Sequence, residues 1–168
     1  FEEWLERVPE ELTGDPLWRM EVCRLAVFVG DLAWPDVSRM IKDGRTRGLA
    51  DQLYRAIGSV AANIAEGYSK SSHRGQARFY EYALGSAREA RGWYYQGRHI
   101  LPEAVSAHRI QLLTQTIRLL LATVPATRGR KLHEQSADLY YIPSNFVGQR
   151  THAVDTQHET RTRVRAGT

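Results

Sequence analysis

From Trp18 to Val124 the apolar positions recur at steps of three and four, and no stretch alternates convincingly at steps of two. A three-four step brings side chains back to one side of an α-helix, so the chain predicts helices and no strands. Trp18, Val22, Leu25, Val29 and Leu32 define a first helical face. Asp15 is placed to accept from free backbone N–H groups as its N-cap, and Pro16 suits the first helical position. Pro35 lacks an N–H and crowds the preceding turn. The expectation there is a kink with the helix continuing to about Ile41, the alternative being a stop and a restart. Lys42 to Gly48, with turn residues and charge but no periodicity, predicts a loop.

Leu53, Ile57, Val60 and Ile64 set the second helix, and Gly67 marks its end as a residue suited to the left-handed position after a helix. Ser72 can cap a third helix, whose seam is predicted as Phe79, Ala83, Ser86, Ala90, Trp93, Gly97 and Ile100. Small residues in that seam let a neighbouring backbone come close, while Phe79 and Trp93 require gaps opposite. Pro102 restarts the chain as a fourth helix with the stripe Ile110, Leu113, Ile117, Leu120 and Val124, closed by Pro125. Four amphipathic helices, the last three joined by short connections, predict an all-α, up-and-down four-helix bundle over residues 16–125. Truncating a central residue such as Leu113 to alanine is expected to cost about 2–5 kcal/mol. Residues 126–168 are expected to form a largely irregular, mobile tail, apart from a docking segment around LYYIPSNF.

Charge adds an asymmetry to this picture. Residues 1–15 carry one basic and six acidic side chains, residues 16–125 fifteen basic and nine acidic, and residues 126–168 seven basic and four acidic. A basic bundle behind an acidic N-terminal segment points toward a polyanionic partner. At 168 residues a single domain is expected. No apolar run approaches the roughly 18–20 residues needed to span a bilayer, and no signal peptide is visible. The chain opens at Phe1 without a methionine, which leaves room for a missing upstream piece. Cys23 is the only cysteine, so no internal disulfide can form, and a reducing, cytoplasmic setting is the expectation.

Candidate chemistry is sparse. Arg88, Arg91 and Arg98 project from neighbouring positions of the third helix beside Tyr94 and Tyr95. Guanidinium forks bind phosphate and aromatic faces stack on bases, so these five residues are the candidate nucleic-acid surface. The competing reading is a solvated face with salt bridges to Glu81 or Glu89. Arg161, Arg163 and Arg165 of the tail could add nonspecific phosphate affinity. Asn63, Glu66, Gly67 and Tyr68 cluster at the end of the second helix, either as a polar ligand site or as a helix-terminating hydrogen-bond network, with Arg78 a possible partner. The network is favoured, because no nucleophile or second carboxylate is spaced beside them. His73, His99 and His108 fall at unrelated spacings, so neither a metal nor a cofactor is expected. Arg128 and His133 are spaced somewhat like a pair found in helical ribonucleases, but they lie beyond the periodic region, and chance explains them better. Tyr80, Leu84, Ala87, Tyr94 and Leu101 form a second apolar stripe on the third helix. Either a subunit interface or the first helix of the same chain would have to cover it.

The run SVAANIAEG at Ser59 to Gly67, the following Tyr68 and Ser69, and ALGSARE at Ala83 to Glu89 resemble the four-helix-bundle proteins encoded by intervening sequences of bacterial 23S rRNA genes, also labelled S23 ribosomal proteins. That family is similar in turn to the accessory variability determinant proteins of diversity-generating retroelements, which form basic pentameric barrels with a reverse transcriptase and nucleic acid as partners. The resemblance covers roughly residues 16–125. It implies a non-enzymatic, self-associating bundle, and it supplies no catalytic residue to carry over. A nucleic-acid-binding accessory protein is the leading expectation, with a protein-interaction scaffold as its rival and a helical ribonuclease third.

Overall fold

The computed structural model describes residues 1–128. Two single-turn helices, α1 (Glu2–Leu5) and α2 (Glu10–Thr13), are followed by a 3₁₀ turn at Pro16–Arg19 and four long helices. These are α3 (Glu21–Met40), α4 (Arg47–Tyr68), α5 (His73–Gly97) and α6 (Glu103–Arg128). There is no strand among the described residues. The long helices pack in chain order, α3 on α4, α4 on α5 and α5 on α6, with α6 closing back on α3. Short connections force each to run opposite to the last, which is the up-and-down bundle expected from the apolar periodicity. Of the irregular tail expected over residues 126–168, residues 126–128 instead continue α6, and the rest, with the LYYIPSNF segment and Arg161, Arg163 and Arg165, lies outside the described residues.

Local chemistry sets the helix boundaries. Asp15 does cap, its carboxylate accepting from the Leu17 N–H at 2.8 Å, but the turn it starts is the short 3₁₀ turn. The long helix begins only after Met20, which has extended backbone. Pro35 has no N–H to give to the Asp31 carbonyl, yet α3 runs through it to Met40 without a restart. At the next corner the Thr46 hydroxyl donates to the Met40 carbonyl at 2.6 Å, occupying one of the acceptors that the end of a helix leaves open. The hydroxyl oxygen of Ser72 accepts from the Gly75 N–H and caps α5 as expected. Pro125 does not close the last helix, which continues to Arg128.

Gly67 differs from its expected role. It lies within α4, which ends at Tyr68 with Ser69 in an ordinary right-handed conformation. What position 67 requires is room, because a Cβ there would sit 2.7 and 2.8 Å from carbons of the Tyr80 ring. Gly97 plays the same part on α5, where a Cβ would lie 2.9 Å from the Met40 methyl. These close approaches join α4 to α5 at one end of the bundle and α5 to α3 at the other.

Leu53, Ile57, Val60 and Ile64 of α4 are all buried, as are Leu113, Ile117, Leu120 and Val124 of α6. On α5 the seam is shifted. Ala83, Ala90 and Gly97 are buried as expected, but Phe79, Ser86, Trp93 and Ile100 are only half-buried. Tyr80, Leu84, Ala87, Tyr94 and Leu101 take the interior instead. The second stripe is therefore covered by the chain's own helices, not left over for a subunit interface.

Ahead of the bundle, Phe1, Trp4 and Trp18 gather on Phe28 of α3, with ring centroids 5.1–6.0 Å apart along the cluster. The Trp4 indole N–H donates to the Asp31 carboxylate at 2.6 Å. Aromatic packing thus fastens the acidic segment to α3.

Candidate nucleic-acid interface

Successive residues of a helix are turned by about 100°, so Tyr94 and Tyr95 cannot share a side of α5. Tyr94 is fully buried, and its hydroxyl donates to the Asp36 carboxylate of α3 at 2.9 Å. Burial, followed by the neighbouring Asp36 charge, raises the phenol well above its ordinary range and keeps it protonated as a donor. Tyr94 is thereby removed from the expected surface and belongs to the core.

Asp36 is the centre of a buried polar group that sequence reasoning missed. Arg109 of α6 donates through Nε to the same Asp36 oxygen at 2.8 Å. Its Nη1 lies 2.6 Å from Nδ1 of His108, which must be unprotonated to accept. Burial first, and then the Arg109 charge, lower the affinity of His108 for a proton. The carboxylate, the guanidinium and the phenol thus tie α3, α6 and α5 together across the interior. A signal for this did exist. Asp36 follows Val22 and Val29 at steps of seven, and Arg109 precedes Leu113 by four, so opposite charges occupy apolar registers of two helices.

Tyr95 is 57% exposed. The Arg98 guanidinium lies over its ring at 4.0 Å from the centroid, and Nη1 donates to the Tyr95 carbonyl at 2.7 Å. This fixes a planar cation against an exposed aromatic face near the C-terminal end of α5. Arg91 is half-buried and reaches α6, donating to the Thr114 hydroxyl at 3.3 Å. Arg88 is exposed. Of the carboxylates considered as salt-bridge partners, Glu81 pairs with Arg128 of α6 at 2.8 Å, and Glu89 accepts from the Trp93 indole at 3.2 Å.

The cluster at the end of α4 resolves into local contacts. The Asn63 side-chain amide donates to the Ser59 carbonyl at 2.8 Å and to its hydroxyl at 3.0 Å, and Ser86 of α5 joins that hydroxyl at 3.2 Å. Glu66 pairs with Lys70, not with Arg78. Tyr68 is exposed. No catalytic constellation arises from these residues. Among the described residues no group of three or more His, Cys, Asp or Glu could hold a metal ion, and no helix is long and apolar enough to cross a membrane. Arg128 is engaged by Glu81, while its proposed ribonuclease partner His133 lies outside the described residues.

The four-helix packing places the SVAANIAEG and ALGSARE runs on the facing helices α4 and α5. A family model described as 23S rRNA-intervening sequence protein matches residues 21–122, from the start of α3 to near the end of α6. The chain belongs to this family. For the 23S rRNA-intervening sequence protein family, the matched span is the whole bundle core without the aromatic acidic segment. Comparison with curated proteins gave no match.

Proposed function

We propose that this chain is a non-enzymatic, self-associating helical accessory protein that binds RNA or DNA through backbone phosphates. The observation that carries the reading is the exposed Tyr95 ring with the Arg98 guanidinium stacked on it. Such a pair offers a phosphate-binding fork and a base-stacking edge at one point. The excess of basic over acidic residues across 16–125 supplies the long-range attraction. Arg88 and Arg91 extend the same helix toward its middle.

A protein-interaction scaffold is the second reading, favoured by one observation. Trp34 of α3 is 64% exposed and meets Tyr54 of α4, itself exposed, edge to face at 6.0 Å. An exposed aromatic pair of this size suits a protein partner or a second copy. With the Tyr80 stripe spent inside the chain, this pair is an exposed aromatic surface on which self-association can rest.

Fluorescence anisotropy with a labelled RNA, comparing wild type with Arg88→Gln/Arg91→Gln/Arg98→Gln, tests the first reading. Weakened binding by the triple variant at unchanged helicity is the expected result. Equal binding by both proteins rejects this surface. Capture of an acidic protein partner after nuclease treatment, together with failure to bind RNA, favours the scaffold.

A further inference from the structure

The α4–α5 corner carries a second aromatic and cationic array. Lys70 sits over the Phe79 ring with Nζ 4.7 Å from the centroid. Phe79 meets Tyr82 edge to face at 5.7 Å. Arg78 lies over the Tyr82 ring at 5.5 Å and donates from Nε to its hydroxyl at 2.6 Å. Cation, ring, ring and cation therefore follow one another across the corner, and Tyr82 remains 45% exposed. From Gly67 to Tyr80 the chain holds Lys70, Arg74 and Arg78 and no carboxylate. The flanking carboxylates are already engaged, Glu66 by Lys70 and Glu81 by Arg128. Further along the same helix pair, Ser59, Asn63 and Ser86 place neutral hydrogen-bonding groups between α4 and α5. The acidic N-terminal segment is fastened to α3 instead, its Trp4 indole donating to Asp31.

We propose that this corner is a platform for single-stranded nucleic acid. An unpaired base stacks on Tyr82, while Arg74 and Arg78 meet the phosphates on either side. This deepens the nucleic-acid reading given above and rests on it. A purely polyanionic partner needs the cations but gains nothing from the exposed Tyr82 ring, and an apolar partner gains nothing from the cations. A single strand uses both, because its bases are free to leave their own stack and its phosphates recur at every step. A duplex keeps its base faces covered and can use only the charges.

The test is anisotropy with a labelled 12-nucleotide oligouridylate and with a duplex of the same length, at one salt concentration. Tyr82→Ala is expected to weaken single-strand binding about 5- to 100-fold, in line with the loss of one stacked base, and duplex binding less than about two-fold. Tyr82→Trp, which restores a ring, is expected to recover the single-strand affinity. Circular dichroism of both variants checks that the bundle persists. If wild type binds the oligonucleotide and Tyr82→Ala binds it equally well, the platform is refuted while the nucleic-acid function stands. Equal losses for single strand, duplex and polyglutamate also refute it, because they mark a general charge contact. If wild type binds neither nucleic acid, both proposals fall.

Discussion

Two neighbouring tyrosines of α5, each set beside an arginine, have opposite fates. Tyr94 points inward and shares the Asp36 carboxylate with Arg109. Tyr95 points outward under Arg98. The side chains are chemically the same, so the difference lies in what surrounds them. Within the core a guanidinium and a phenol need a carboxylate to satisfy them, and together they fix three helices in one register. At the surface the same groups are satisfied by each other and by water, and they stay available to a partner. A single residue step on one helix thus separates a structural role from the binding role proposed above.

Breaking the inner pair has the largest expected effect. Arg109→Met leaves Asp36 buried without its counter-charge and is expected to cost about 3–5 kcal/mol in urea denaturation. Asp36→Leu combined with Arg109→Met, which removes both charges, is expected to cost clearly less than the Arg109 change alone. A double variant as unstable as the single one would show that packing, not charge pairing, fixes this site.

Next in size is the contrast between the two tyrosines. Tyr94→Phe removes a hydrogen bond to a buried carboxylate and should lose about 1.5–3 kcal/mol of stability. Tyr95→Phe, one residue on, should stay within about 0.5 kcal/mol of wild type. The glycines sharpen the comparison in the same manner. Gly67→Ala drives a Cβ into the Tyr80 ring and is expected to destabilise by about 1–3 kcal/mol. At Gly58, also within α4, a Cβ meets nothing within 4 Å, so Gly58→Ala is expected to stabilise by about 0.4–1 kcal/mol.

The smallest effect belongs to pH. His108 binds a proton less readily in the folded chain than in the unfolded one, owing to burial and Arg109. The unfolded chain therefore takes up a proton first, and stability falls as pH drops below about 6.5 toward the lower folded value. Above that range both forms are neutral and the contribution is complete. Thermal melts of wild type and His108→Gln across this interval check it, with the variant expected to show a shallower acid-side decline.

Much of the fold was legible because α4 has one dominant apolar stripe, so that Leu53 to Ile64 could face only one way, while on α6, where Leu112, Leu119 and Leu121 lie beside the stripe, the three-four spacing still picked out Leu113 to Val124 and missed only at the half-buried Ile110. α5 was harder. Its small residues Ala83, Ala90 and Gly97 were assigned correctly, but apolar side chains flank them on both sides. Phe79 and Trp93 lie on one flank, Tyr80 and Tyr94 on the other. The four-three spacing that starts at Phe79 points to the first flank for the interior. The structure buries the second, because Tyr94 finds an acceptor across the core in Asp36. That acceptor was invisible to periodicity. A lone aspartate after Pro35 looks like an interruption of the apolar face until Arg109, 73 residues later in the chain, is brought against it. The same shift in phase explains why Tyr94 was assigned to the candidate site and why the Tyr82 corner was not.

The most direct measurement is the salt dependence of RNA binding by wild type and by Arg98→Gln. With outward guanidiniums held to phosphate, log affinity should fall linearly with log salt, and the loss of one contact should flatten the slope by about 0.7 for a single strand. Affinity that does not change with salt, or an identical slope for the two proteins, would contradict the outward role assigned to Arg98.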